Sequence, residues 1–541
     1  MRGTMMDGPL TLPQILERAG RLFGSVEIVS RKPDKSLHRY TYADMRRRAF
    51  ALASALQEAG LKKGDRVASL MWNNSAHLEA YFGVPCAGGI LLTLNLRLHP
   101  DDIAYIVNHA KPRFLIVDDI LLPTLEKCRG QIKPERIFAV RWNGDALSPG
   151  VEDYDAFLAA APKGFAYPAL EENDGAGMCY TSGTTGKPKG VIYSHRAMVL
   201  HSLSISLPDS LNFSSRDCVM PVVPMFHANA WGEPHACAMV GAKQVLPGPH
   251  LDAESLLDLC AGEGVTFASG VPTVWLAVAR ALEAEPKRWK LPRHMRTMVG
   301  GSAAPESLVR DLARLGFTPM HGWGMTEMTP VGSVHSFRPQ HNKLTEQERH
   351  THMTRQGVPL PLVEMRVMDD SGEVPWDGKS MGELQVRGPF IAASYHENAQ
   401  ASDRWTADGW FMTGDVVTMD PEGYLQIADR TKDLIKSGGE WISSVELENA
   451  LMGHPAVAEA AVIAVAHPKW QERPLAAVVV KQGQSVEPAA LRAHLAQRFA
   501  KWWLPDAFVF IDQVPRTSTG KFQKSALRAR FKDWDWDNAK G

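Results

Sequence analysis

The eleven residues from Tyr180 to Gly190 hold four Ser or Thr hydroxyls, three glycines and two lysines. Glycine passes through φ > 0 and lets backbone N–H groups approach an anion, hydroxyls donate further hydrogen bonds and lysine supplies charge, so this composition suits phosphate. It is not a Walker A loop. That motif needs four residues between its first glycine and the Gly-Lys pair, then a hydroxyl residue, whereas Gly183 and Gly186 are separated by two and Pro188 follows Lys187. The flanking residues 177–180 and 191–193 read as strands, giving strand-loop-strand rather than strand-loop-helix. A plain Gly/Thr surface turn is the competing reading, and the rest of the chain has to decide.

At 541 residues the chain exceeds the size at which one core stops growing, so at least two domains are expected. Hydrophobic residues at 45% and charged ones at 22% are ordinary globular usage. A formal charge of -1 leaves no electrostatic footprint for nucleic acid or an anionic membrane, so any polyanion is bound locally. The six cysteines form no C-x-x-C pair, which argues against a zinc site and a disulfide framework and fits a reducing cytoplasm. Residues 1–14 have no apolar core of signal-peptide length, and the most apolar window, 81–98, is broken by Pro85, Gly88, Gly89, Asn95 and Arg97. No transmembrane segment is expected.

Along the chain, Met45, Ala49, Leu52, Leu56 and Ala59 at 3–4 spacing predict a helix from Thr41 to Gly60, with Thr41 and Asp44 as an N-cap pair. Strands at 66–71, 90–94 and 114–118 alternate with helices around 77–82 and 101–109. The same rhythm returns over 244–315, and alternation of this kind predicts two mostly parallel sheets covered by helices, an α/β class. From Gly357 to about Tyr424 helix periodicity gives way to short alternating strands, predicting a small barrel-like module. A charged stretch at 429–433 marks a boundary between residues 1–430 and a compact α+β unit, 431–541. That unit carries a last polar turn, Pro515 to Lys521.

Five more segments recur in a familiar order: 224–227 (Pro-Met-Phe-His), 300–305 (Gly-Gly-Ser-Ala-Ala-Pro), 322–327 (Gly-Trp-Gly-Met-Thr-Glu), 413–415 (Thr-Gly-Asp) and 429–440. With the Thr/Gly loop and Lys521, they make nearly the whole chain resemble the adenylate-forming superfamily of acyl-CoA synthetases, adenylation domains and luciferases. Residues 222–231 and 436–444 look most like bacterial medium- and long-chain fatty acyl-CoA synthetases. The resemblance implies ATP, Mg2+ and CoA as cofactor and co-substrates. It also implies two half-reactions: a carboxylate and ATP give acyl-AMP and pyrophosphate, then the CoA thiol displaces AMP.

The resemblance further implies roles for individual residues. Thr181, Ser182, Gly183, Thr184, Thr185, Gly186 and Lys189 would wrap the β- and γ-phosphates, with Thr184 and Glu327 holding the magnesium ion. Gly301, Ser302, Ala303 and Ala304 would wall the adenine slot with Trp323, which stands in place of the family's usual tyrosine and is expected to stack on the base. His321, Gly322, Gly324, Thr326 and Lys436 are further nucleotide contacts by the same resemblance. Asp415 would accept the ribose hydroxyls, and Arg430 would reach the ribose or the phosphates. His227 would stand beside the reacting carboxylate. Lys521 would contact both carboxylate and α-phosphate, after which the C-terminal unit would rotate about Lys432 to admit CoA along Gly438, Gly439, Glu440 and Trp441. Trp231 and Val271 would line the acyl pocket.

No arginine or acid in that region obviously awaits a polar tail, which favours an apolar acid, while short thioether-containing and aryl acids stay open. A luciferase-like monooxygenase, a silent nucleotide-binding homologue and a carrier-loading adenylation domain are the rival readings; Gly438, Gly439, Glu327 and Lys521 favour CoA chemistry. A homodimer and a weak peripheral membrane contact are expectations from the resemblance alone.

Overall fold

Thr41 starts the long helix Tyr42–Glu58 through a reciprocal cap: its hydroxyl accepts from the Asp44 N–H at 3.3 Å, and the Asp44 carboxylate accepts from the Thr41 N–H at 3.1 Å. Met45, Ala49, Leu52 and Leu56 are buried along one face. That face meets the helix Ser75–Cys86, buried on every side, where a Cβ at Gly83 would stand 2.9 Å from the Ala49 carbonyl. Only glycine permits that approach.

The computed structural model describes residues 1, 3–144, 146–181, 187–398, 403–437, 440–517 and 521–536, without the side chain of Glu440. Ser182, Gly183, Thr184, Thr185 and Gly186 of the phosphate loop and Gly438 and Gly439 of the expected CoA path lie outside the described residues.

Two helix-covered sheets form the body. The seven-stranded sheet runs, edge to edge, Glu152–Asp153, Arg136–Val140, Phe114–Asp118, Arg66–Leu70, Ile90–Thr93, Gly175–Tyr180 and Gly190–Ser194. It is parallel until its last pair, which is antiparallel, so the Thr/Gly loop joins two neighbouring strands as expected. The nine-stranded sheet has a parallel centre, with Lys243–Leu246, Cys218–Pro221, Phe267–Gly270, Arg296–Val299 and Thr318–Gly324 among its strands. Antiparallel strands close both of its edges.

The barrel-like module is a five-stranded antiparallel sheet built on Glu364–Asp369, Gly382–Arg387, Phe411–Met419 and Leu425–Arg430, with Gly372–Glu373 at one edge. Beyond it, Val457–His467 and Gln471–Val480 form a long hairpin flanked by Ile435–Ser437 and, in parallel, by Ala507–Phe510. The helices Ser444–Met452 and Pro488–Ala496 cover one face of this sheet through Leu447, Leu451, Leu491 and Leu495. Among the described residues, no helix is long and apolar enough to cross a membrane.

Candidate active site

The ends of these elements surround a cavity of about 700 Å3. Strand ends bring Thr181 and Lys189 from the smaller body sheet, and Gly270, Gly300 and the run His321–Gly324 from the larger one. The five-stranded sheet contributes Asp415 and Arg430, and the turn of the C-terminal unit contributes Lys521. Open α/β sheets place ligands beyond the carboxyl ends of their strands, where connections leave backbone groups free.

The Thr/Gly loop is closed at its base. Thr181 N–H donates to the Lys189 carbonyl at 2.9 Å, and Lys189 N–H donates to the Thr181 hydroxyl at 3.1 Å. The Lys189 ammonium lies 4.9 Å from the centre of the Tyr395 ring. Tyr395 in turn donates from its hydroxyl to Glu327 Oε1 at 2.6 Å, and both residues are buried. Burial with the Glu327 carboxylate beside it pushes the Tyr395 hydroxyl well above its ordinary range, so it stays a donor. The second Glu327 oxygen makes no hydrogen bond among the described residues. One half-committed carboxylate beside Tyr395, whose ring lies against the Lys189 ammonium, fits Mg2+, which takes one or two carboxylates and keeps its other positions for water and substrate phosphate.

Asp415 is held on both of its carboxylate oxygens. Its buried Oδ2 accepts from the Trp323 indole at 2.9 Å, while Oδ1 pairs with Arg430 Nε at 2.5 Å across a register that sets the two residues opposite each other. Trp323, the residue expected to stack, thus also spends its N–H on Asp415. His321 is part of the same wall, bonded through Nδ1 to the Thr354 carbonyl at 2.7 Å and held neutral by burial, with its pKa pushed down to about 4.

Lys521 enters from a turn in which Lys521 N–H donates to the Thr517 hydroxyl at 3.2 Å and Thr517 N–H to the Lys521 carbonyl at 2.8 Å. Its stem passes over Gly301. A Cβ there, at φ +81°, would stand 3.2 Å from Val271 Cγ1 and 3.6 Å from Lys521 Cε. Gly301→Ala is accordingly expected to lower the rate of any reaction that uses Lys521 by about tenfold, because left-handed strain of roughly 1–2 kcal/mol adds to the tight contact with Val271 and shifts the backbone on which the Lys521 stem rests. Unchanged steady-state rates in that variant would remove the packing argument.

Burial first, then the neighbouring Arg430, push the Lys521 ammonium down to about 8. His227 is pushed down to about 3 by burial, then by Lys521 and Arg97, so it is a neutral imidazole at physiological pH.

Trp231 reaches the cavity from an unusual backbone. Ala228, Asn229, Ala230 and Trp231 have φ of 44°, 53°, 47° and 55°, and Gly232 follows at 81°. For residues with a Cβ this left-handed turn costs about 1–2 kcal/mol each. Burial of the whole turn holds it. The indole is set so close to Gly300 that a Cβ there would meet its Cη2 at 2.9 Å.

The cavity thus gathers Thr181, Lys189, His227, Trp231, Val271, Gly301, Ser302, Ala303, His321, Gly322, Trp323, Gly324, Thr326, Glu327, Asp415, Arg430, Lys432 and Lys521. Three expected residues stand apart from it. Ala304 packs into the core between sheet and helices instead of lining the wall. The Lys436 ammonium lies 4.6 Å from the ring of Trp441, which is itself exposed, because the strand Ile435–Ser437 pairs with Glu440–Ile442 away from the cavity. Sequence reasoning missed Tyr395, Arg97 and Arg404, which also line the cavity. No motif spacing marks them, and only the fold brings them in.

The match to known proteins is broad. Residues 17–396 match the family model of the AMP-binding enzymes, and residues 446–521 match that of their C-terminal domain. The chain is 52% identical over 535 residues to a long-chain-fatty-acid–CoA ligase of Thermus thermophilus, covering 98% of this chain and 97% of that one. It is 44% identical over 540 residues to a 3-methylmercaptopropionyl-CoA ligase of Ruegeria lacuscaerulensis, covering 98% and 99%. Among solved structures, an anthranilate CoA ligase in complex with anthranoyl-AMP superposes with a TM-score of 0.86 at 26% identity, over 98% of this chain and 99% of that one. Thr181 and Lys189 from the flanks of the Thr/Gly loop, Asp415 and Lys521 meet in one cavity, and with family models matched over most of its length the chain belongs to the AMP-binding enzyme family.

Proposed function

We propose that the protein is an ATP-dependent fatty acid–CoA ligase that forms acyl-AMP and pyrophosphate from a medium- or long-chain apolar acid, then passes the acyl group to CoA with release of AMP. The observation that carries this reading is the half-buried Lys521 reaching the cavity shared by Asp415, His227, Thr181 and Lys189. A carboxylate is a poor nucleophile towards an α-phosphorus already surrounded by negative oxygens, so neutralising charge is the main catalytic task.

In this reading Asp415 accepts the ribose hydroxyls, since an ionised carboxylate is acceptor-only and suits a diol. Thr181 and Lys189, with Ser182 to Gly186, hold the β- and γ-phosphates. Glu327, with Thr184, would hold magnesium, which when bound would supply charge neutralisation on the departing pyrophosphate. Tyr395 orients the Glu327 carboxylate. Lys521 donates to both the attacking carboxylate and an α-phosphate oxygen, and neutral His227 offers a hydrogen bond beside them without adding a second charge. The unit 431–541 then rotates about Lys432, withdrawing Lys521 and opening a path past Gly438 and Gly439 for the CoA thiol, whose attack on the acyl carbon expels AMP. A cytoplasmic location, a homodimer and a weak peripheral membrane contact complete the reading, and gel filtration with light scattering and vesicle flotation test the last two.

A second reading, a ligase for a short thioether acid, is favoured by the 3-methylmercaptopropionyl-CoA ligase relative. An AMP-release assay with CoA and acids from C3 to C16, including 3-methylthiopropionate, separates the two. Rising kcat/KM up to medium or long chains is expected, and a maximum at the thioether acid would favour the second reading.

The pH dependence follows from Lys521. Its ammonium is the required form and is present below its pKa of about 8, so kcat/KM for ATP in pyrophosphate exchange should be level below pH 8 and fall tenfold per unit above it. Lys521→Arg, which stays protonated, should remove that fall. A profile that keeps falling in the arginine variant would assign the titration to another group.

A further inference from the structure

After the strand Cys218–Pro221 the chain leaves the nine-stranded sheet, and residues 222–227 form neither strand nor helix. Their backbone groups are met instead by side chains from around the smaller sheet. Asn73, just past the strand Arg66–Leu70, donates from its amide to the Pro221 carbonyl at 2.8 Å and the Val223 carbonyl at 2.9 Å, and it accepts from the Met225 N–H at 2.7 Å. Tyr81 donates to the Met225 carbonyl, and Thr93 to the Phe226 carbonyl at 3.3 Å. All three side chains are buried.

The residue type follows from the partners. Two carbonyls and one N–H call for two donors and one acceptor in one plane, which a carboxamide supplies. A carboxylate would set an oxygen against the two carbonyls, and an apolar side chain would leave three buried backbone groups unpaired.

Asn73 is itself fixed. On one side the Trp72 N–H donates to Asp118 Oδ2 at 2.8 Å; on the other the Asn74 amide donates to the same oxygen at 2.9 Å. Asn74 also caps the helix Ser75–Cys86 by accepting from the His77 N–H at 2.9 Å, and the Asn73 carbonyl accepts from the Gly248 N–H at 3.1 Å. A side chain anchored in this way can hold another segment without play.

What that segment presents is the side of the cavity that carries His227. Val222, Val223, Pro224 and His227 line the cavity, and Asn73 does not. The His227 N–H closes a turn onto the Pro224 carbonyl at 2.9 Å. Its imidazole makes no hydrogen bond among the described residues, so packing and its own backbone set where it stands.

We infer that Asn73, with Thr93 next along the same segment, is a positioning residue for acyl-adenylate formation, holding residues 221–226 so that His227 stands beside the reacting carboxylate. The inference rests on the ligase reading and on the place of His227 within it. Asn73 touches neither acid nor nucleotide and acts only through the segment it holds.

The test is a double-mutant cycle in fatty-acid-dependent exchange of pyrophosphate into ATP by the full-length enzyme. The readout is kcat/KM for the acid per AMP-binding site, the sites being counted by equilibrium dialysis, so that any loss of folded enzyme cancels. His227→Ala should lower it by about 100-fold and Asn73→Ala by about 30-fold, with AMP affinity held within a few-fold. The double variant should stay within about threefold of His227→Ala, because misplacing a side chain that is already gone removes nothing more. A merely structural role would loosen the cavity in general, and the two losses would then multiply to about 3,000-fold. Where Asn73→Ala gives no folded enzyme, Thr93→Val decides: it removes one bond to the same segment at nearly constant shape and should lower kcat/KM about fivefold, again only while His227 is present. In the deciding variant, no loss, or a loss that multiplies with that of His227→Ala, overturns the assignment and leaves the ligase reading intact. A His227→Ala enzyme with native kcat/KM does the same. No fatty-acid-dependent exchange in the native enzyme overturns the ligase reading and this inference with it.

Discussion

Replacing Lys521 by alanine should lower fatty-acid-dependent exchange of pyrophosphate into ATP by about 10²–10³-fold. Conversion of supplied acyl-AMP and CoA to thioester should change by no more than a few-fold. The asymmetry arises because one ammonium serves two anions that repel each other only until the acyl-phosphate bond forms. A donor aimed at developing charge in a site closed to water contributes about 3 kcal/mol or more to the transition state. Lys521 has the required environment: it is enclosed enough to be pushed down to about 8, and its stem runs along Gly301, where no side chain blocks it. In the second half-reaction the acceptor is a carbonyl carbon and AMP is the leaving group, so a lysine withdrawn with the C-terminal unit has nothing to contribute. Equal loss of both halves would show that Lys521 serves binding or folding instead.

Asp415→Ala should weaken both ATP and AMP by about 10–100-fold, as read by equilibrium dialysis or by calorimetry. The carboxylate accepts from the Trp323 indole and pairs with Arg430, and a hydrogen bond to a charged group contributes about 1.5–3 kcal/mol. Removing it also leaves the Trp323 N–H and Arg430 without their acceptor, so the variant loses a binder and the support of two neighbours. Unlike Lys521→Ala, this change should affect the two half-reactions alike, because the ribose is held throughout. Trp323→Phe, which keeps a ring but loses the N–H, should fall between native and Asp415→Ala. A phenylalanine variant with native affinity would mean that stacking alone is what the indole provides.

Much of this site was legible because its chemistry is written in contiguous stretches. The Thr/Gly loop gave away its strand-loop-strand form through its flanks, and the Thr41–Asp44 cap through spacing alone, since both are local effects. What stayed hidden is produced by long-range packing. Tyr395 meets Glu327 across 68 positions of chain, and no periodicity encodes that meeting. The strand Leu37–Thr41 pairs with Glu27–Arg31 at a sheet edge, and three of its five residues are exposed, so it lacks the apolar signal of a strand. The left-handed turn at Ala228–Gly232 was unreadable for a different reason. Alanine and tryptophan rarely take positive φ, and only the surrounding core holds them there. Lys436 shows the opposite limit: it belongs to a motif, yet local strand pairing turns its side chain onto Trp441.

The account turns on one contact between the C-terminal turn and the nucleotide. A crystal structure of the enzyme with a non-hydrolysable acyl-adenylate analogue measures it directly. The account predicts the Lys521 ammonium about 2.7–3.2 Å from an oxygen of the phosphate analogue, with the ribose hydroxyls on Asp415. An ammonium beyond hydrogen-bonding distance, while the nucleotide occupies the Asp415 site and the C-terminal unit is packed as described here, would contradict it.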